Sequence, residues 1–135
     1  MGQQQLLLII LGVIIVGIAI AVGLSLFSAQ SVQSNKDAMI NDLNNIAAQC
    51  YQFRIRPSSM GGGQGSYDGS TVVNGTPFSL PTKMATNENG TYVPVPAPDE
   101  VVITATSAAN TANTIVVTVD SDGKLTGWAY TGDFQ

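Results

Sequence analysis

The chain has no histidine and only one cysteine, Cys50. An internal disulfide framework is therefore excluded, as is a Cys/His zinc site. Charge is scarce: five Lys or Arg and nine Asp or Glu in 135 residues. The first 35 residues carry no charged side chain at all. From Pro57 onward two lysines face seven acids, a local net charge of −5. Nothing in that balance is suited to nucleic acid, which calls for clustered Lys and Arg against phosphate. No nucleophile is accompanied by a base and an orienting third group, and no two acids stand at a convincing catalytic spacing. The reading is a non-enzymatic chain with no cofactor.

What the chain does have is a long apolar run. "LLLIILGVIIVGIAIAVGLSLF", residues 6–27, is interrupted only by Gly12, Gly17, Gly23 and Ser25. Its 22 residues rise roughly 33 Å as an α-helix, enough to cross a hydrocarbon core of about 30 Å. A cleaved secretory signal fits it poorly. Such signals have an apolar stretch of about 7–15 residues, basic residues in front and a small-x-small site behind. Glycines in an apolar helix let a neighbouring backbone approach closely, although a plain anchor with incidental glycines reads the same way. Lys36, Arg54 and Arg56 follow the run at a distance and say little about orientation.

No Pro or Gly occurs between Ser28 and Phe53. Val32, Met39, Ile40, Leu43, Ile46, Ala47, Cys50 and Phe53 form the apolar set, with steps of three and four from Met39 on. Asp37, Asn41, Asp42, Asn45 and Gln49 are placed on the opposite, polar face. Pro57 ends the helix. The pattern predicts one helix over residues 3–54, apolar all round to residue 27 and amphipathic over 28–54. "PSSMGGGQGSYDGS" (57–70) reads as a flexible connection with no core-forming run. Residues 91–98 alternate but hold three prolines, so they read as an edge strand or an extended loop. Residues 100–108, 113–120 and 124–132 read as strands, the last setting Leu125, Gly127 and Ala129 against Thr126, Trp128 and Tyr130. "DSDG" (120–123) is a hairpin signal. The expected fold is α+β, with the amphipathic half-helix packed on a small antiparallel sheet formed within residues 55–135.

Several local features invite a chemical reading beside a plainer one. Asp120 and Asp122 resemble part of a calcium loop, yet too few oxygens accompany them, and a plain turn is the simpler account. "MGGGQG" lacks the Lys and the strand–loop–helix setting of a phosphate cradle. Asn74 and Asn89 each begin an N-x-[ST] triplet and are candidate glycosylation sites. Tyr51, Phe53, Tyr67, Tyr92, Trp128 and Tyr130 are candidates for an electron relay or a sugar platform, with core and edge packing as the default. Cys50 reads as a small packing residue.

A charge-free N-terminus, an apolar helix starting just after Gly2, its amphipathic continuation and a small β-rich tail together resemble the type IV pilins and the related pseudopilins. The resemblance is specific over residues 2–53 and architectural beyond. It implies a leader of residues 1–2 cut by a prepilin peptidase after Gly2, with Gln3 as the mature and often methylated N-terminus. It implies a helix over 3–27 that sits first in the membrane and then in the core of a helical homopolymer. Leu6, Leu7, Ile10, Gly12, Val13, Gly17, Ile20 and Gly23 would form that assembly core. The implied partners are other copies of the chain, membrane lipid before assembly, and a pilus assembly machinery. The implied location is the inner or cytoplasmic membrane, then a filament on the cell surface, with adhesion among the family's tasks. Three features depart from the bacterial pattern. Gln3, Gln4 and Gln5 stand where a glutamate is usual, the helix has no kinking proline, and paired C-terminal cysteines are missing. With no proline, Gly12, Gly17 and Gly23 are the only weak points, so a helix that loosens in a filament is expected to do so between Gly12 and Gly23. A pseudopilin of a secretion apparatus and a single-span anchor bearing a small β binding module are the alternatives. An occupied calcium site at Asp120 and Asp122 would favour the former.

Overall fold

The computed structural model describes residues 2–135. Met1, half of the expected leader, lies outside them. Helix α1 spans Gly2–Ile55, followed by a one-turn helix α2 (Thr82–Ala85) and four strands, β1 (Gly90–Pro96), β2 (Val101–Ser107), β3 (Thr114–Val119) and β4 (Leu125–Tyr130). The fold is α+β, and the chain divides into two compact units at Ser34/Asn35. The first is the apolar part of α1. The second contains the rest of α1 and an antiparallel sheet in the order β1-β2-β3-β4.

The second unit is built from two periodicities that meet. Along α1, Met39, Leu43, Ile46, Ala47 and Cys50 are buried, the i, i+3, i+4 stripe of an amphipathic helix. Along the central strands, burial alternates with period two: Val101, Ile103 and Ala105 from β2, and Ile115, Val117 and Val119 from β3, are inside. Ile40 and Phe53, expected in the stripe, lie at its half-buried margins. Asp42, expected on the solvent face, is half-buried and hydrogen-bonded. The β2–β3 register is unbroken from Val101↔Val119 to Thr106↔Thr114.

The two edges differ. Residues 91–98 left strand and loop open, and β1 is a true edge strand, paired with β2 from Gly90↔Ser107 to Pro96↔Val101. Pro94 and Pro96 remove two donors from this edge and discourage further pairing. At the other edge the expected simple alternation of β4 fails. Val116 pairs Ala129 and Thr118 pairs Thr126, so Gly127 and Trp128 together stand opposite Val117. This is a β-bulge, and Gly127 holds its left-handed backbone at φ +65°. The extra residue moves Trp128 and Tyr130 onto the half-buried side with Leu125, leaving Thr126, Gly127 and Ala129 exposed.

The glycine-rich connection is also more ordered than expected. Gly63 N–H donates to the Phe53 carbonyl at 2.8 Å, Gly65 N–H to Arg54 at 2.7 Å and Gln64 N–H to Arg56 at 3.1 Å. The bonds to Phe53 and Arg54 satisfy carbonyls that the end of α1 leaves without helical partners, and the bond to Arg56 continues the cap one residue beyond it. The connection then delivers Tyr67 to the core, where its O–H donates to the Asp120 carbonyl at 2.7 Å. Phe78, also buried, meets Phe53 edge-on with ring centroids 5.6 Å apart. A Cβ at Gly63 would collide with the Ser66 carbonyl and the Phe53 ring. Gly63→Ala is therefore expected to destabilise this unit by about 1–3 kcal/mol. Thermal unfolding of the full chain in detergent, followed by circular dichroism, reads the effect. An unchanged midpoint would mean that the connection does not cap the helix.

Candidate functional site

The apolar part of α1 is the most extensive exposed apolar surface among the described residues. Every residue from 2 to 31 is exposed. Sixteen large apolar side chains between Leu6 and Phe27 are 52–75% exposed. Burying one such side chain is worth about 1.5–3 kcal/mol. Exposed apolar patches on soluble monomers rarely exceed a few hundred Å². The helix is long and apolar enough to cross a membrane, a test that an anchor and a signal sequence both pass. Gly2 and Gln3 lie in its first turn, with no acid beside them. Leu6, Leu7, Ile10, Val13 and Ile20 are all exposed on it.

Gly12, Gly17 and Gly23 are helical and make no close approach. A Cβ built on any of them meets nothing within 4 Å. Each glycine weakens the helix by about 0.8–1.0 kcal/mol relative to alanine, and no packing among the described residues offsets it. At 100° per residue, Gly12 and Gly23 fall within about 20° of one another, and Ala19 joins them. Gly17 lies about 140° round from Gly12, with Ala21 about 40° beyond it. The small residues therefore open two well-separated sides of the helix.

The other candidate residues are placed apart from this surface. Asp120 is a turn residue: its Oδ1 accepts from the Asp122 and Lys124 amides, each at 2.9 Å. Asp122 is exposed. Among the described residues, no three His, Cys, Asp or Glu side chains gather as metal ligands. The two glycosylation triplets are distinguished by their surroundings. Asn74 is exposed with a left-handed backbone, φ 59°. Asn89 is half-buried, and its Nδ2 donates to Asp42 Oδ2 at 2.9 Å. The amides of "MGGGQG" that could have met a phosphate all donate to backbone carbonyls between Phe53 and Ser58. Cys50 is buried, and burial pushes its thiol up to about 12.

Sequence reasoning missed two clusters. In the first, Asp42 Oδ2 accepts from Tyr92 Oη at 2.6 Å and from the Asn87 and Asn89 side-chain amides, each at 2.9 Å. Burial raises the carboxyl, but the bonds from Tyr92, Asn89 and Asn87 outweigh it and hold Asp42 below the usual carboxylate range. Burial and the Asp42 carboxylate push the Tyr92 phenol up. Asn87 is itself fixed, accepting from the Asn89 and Gly90 amides. The turn-forming "TNENG" was the available signal, but nothing in it names Asp42. In the second cluster, the Trp128 and Tyr130 rings lie 6.1 Å apart and nearly parallel, at 11°. Lys36 Nζ sits 4.2 Å from the Tyr130 centroid and donates to the Phe134 carbonyl at 2.9 Å. The six aromatics grouped from the sequence thus do not form one array. Tyr51 is exposed, Tyr67 and Tyr92 are in the core, Phe53 packs on Phe78, and Trp128 stacks with Tyr130.

Comparison with protein-family models, curated proteins and solved structures finds no match to this chain.

Proposed function

We propose that the chain is a structural subunit of an extracellular, type IV pilus-like filament that polymerises through its N-terminal helix. The architecture of an apolar N-terminal helix and a small β-sheet head is pilin-like. The observation that supports the proposal further is the set of three glycines at which a Cβ would meet nothing within 4 Å among the described residues. In lipid, small residues promote helix association by letting backbones approach. A dimer needs one such side, whereas a growing polymer needs at least two surfaces that do not close on each other. Gly12 with Gly23, and Gly17 on a different side, meet that requirement.

On this reading the subunit waits in the inner or cytoplasmic membrane, held by residues 6–27. A prepilin peptidase cuts between Gly2 and Gln3, and an assembly machinery transfers the helix from lipid into the bundle. The charge-free segment then serves two dry environments in turn. The absence of an acid at Gln3–Gln5 makes subunit registration depend on hydrogen bonds and packing, with no ion pair from a side chain in that segment. Cryo-electron microscopy of material sheared from producing cells, with mass spectrometry of the N-terminal peptide, tests the proposal. The expected result is filaments of this 14.0 kDa chain beginning at Gln3. A monomer found solely in membranes would overturn it and favour an anchored β module.

A further inference from the structure

A groove of about 480 Å³ lies between α1 and the β3–β4 hairpin. Its helix side is low, made by Asn44, Ala47 and Ala48, and its strand side carries Lys124, Leu125 and Trp128. Trp128 is the chain's one tryptophan. It is half-buried at an edge strand, while the core is filled with Tyr67, Tyr92 and Phe134. The bulge at Gly127 turns it to this side. Tyr130 stacks on it, and Lys36 fixes Tyr130 in turn, so the indole forms a braced wall.

Two polar groups border that wall. The Asn44 and Lys124 side chains are exposed and make no hydrogen bond within the described residues. Among the described residues that line the groove, Lys124 alone is charged. A flat aromatic wall with a free amide and a free ammonium, above small residues that leave room, matches one ligand chemistry well. A pyranose ring has an apolar C–H face to lay on an indole and hydroxyls for an amide. A carboxylate on the ring would pair with the ammonium. An apolar peptide would use the indole and leave both polar groups unanswered.

We propose that this groove is a saccharide-binding subsite that takes an acidic pyranose, with its ring on Trp128, hydroxyls at Asn44 and the carboxylate at Lys124. Because the groove lies wholly within residues 35–135, the proposal stands independently of filament assembly.

Trp128 is also the reporter. The full chain in detergent micelles is titrated with a β-1,4-linked glucuronate tetramer and, separately, with cellotetraose, its uncharged counterpart, while tryptophan emission is recorded. The expected result is a saturable change, with a dissociation constant on the order of 1 mM for the acidic tetramer and about tenfold weaker binding of the neutral one. Lys124→Gln should weaken the acidic ligand about tenfold and leave the neutral one unchanged, as expected when a charge-assisted contact is lost. Asn44→Ala should weaken both. No saturable change with either ligand overturns the proposal. So does binding that neither substitution alters, or equal affinity for the two tetramers. If the emission changes only when chains assemble, and saccharide has no effect, the groove is an interface between copies and the proposal fails.

Discussion

Replacing Gly12 and Gly17 together with leucine is expected to abolish filament formation while leaving the chain fully inserted in the membrane. Nothing lies within 4 Å of a Cβ at either position, so the subunit itself accepts both side chains. Leucine also removes a helix penalty of about 0.8–1.0 kcal/mol at each site and makes the segment more apolar, which favours insertion. The damage is confined to packing between copies. Helix axes in contact sit about 8–10 Å apart, depending on the side chains between them. A leucine on each of two sides would hold neighbours out where glycine had let them in. The measurement is paired: the amount of subunit in the membrane fraction and the amount sheared from the cell surface. The first should match the unmodified chain and the second should fall below detection. If the double variant assembles at the unmodified level, the glycines do not mediate contact and the filament reading loses its main support. Gly12→Leu alone should give a smaller loss, since Gly17 still opens its own side.

Much of the fold was legible because it rests on local periodicity. The apolar run and the stripe from Met39 to Cys50 predicted a helix ending near residue 54, and α1 ends at Ile55. The β-branched runs predicted the strands at 100–108, 113–120 and 124–132, and β2, β3 and β4 lie within them. What was not legible depends on one residue meeting another far along the chain. The bulge at Gly127 reverses the side on which Trp128 and Tyr130 lie, and a glycine in a strand does not say which way the register will slip. "MGGGQG" is composed like a free linker, yet its amides cap the carbonyls of Phe53, Arg54 and Arg56. Composition could not show that those carbonyls were in reach. The residues of the apolar run could be named from the sequence because they lie on one helix, and all are exposed on it. The Trp128 groove could not be, because it joins Asn44 to Lys124 across 80 positions of sequence.

Asp42, which helical spacing alone puts on the solvent face, is drawn inward by partners 45, 47 and 50 positions away in sequence. Asp42→Ala is expected to destabilise the unit of residues 35–135 by about 2–4 kcal/mol, because hydrogen bonds to a charged acceptor are worth about 1.5–3 kcal/mol each and do not add fully. Three donors converge on one carboxylate oxygen: the Tyr92 hydroxyl and the Asn87 and Asn89 amides. Alanine leaves Tyr92, which is buried, without its acceptor. For a unit of this size each kcal/mol moves the unfolding midpoint by about 4–8 °C. The full chain in detergent should therefore unfold at least about 8 °C earlier by the same relation. The pH dependence has a definite sign. Although burial raises it, the bonds from Tyr92, Asn89 and Asn87 hold Asp42 in the folded chain below its ordinary value, about 3.9 for a free aspartate. Its contribution is therefore complete above that value and disappears as the pH falls through the lower, folded one. Asp42→Asn separates charge from shape. Its amide oxygen can stand in the place of Oδ2 and still accept from Tyr92, Asn87 and Asn89, but without the charge that strengthens those bonds. Asp42→Asn should thus lose part of the stability at neutral pH and all of this residue's acid sensitivity below about pH 4. An Asp42→Asn chain whose midpoint falls with acid as steeply as the unmodified chain's would show that some other carboxylate governs the acid limit. The cluster would then be a turn anchor with no electrostatic role of its own.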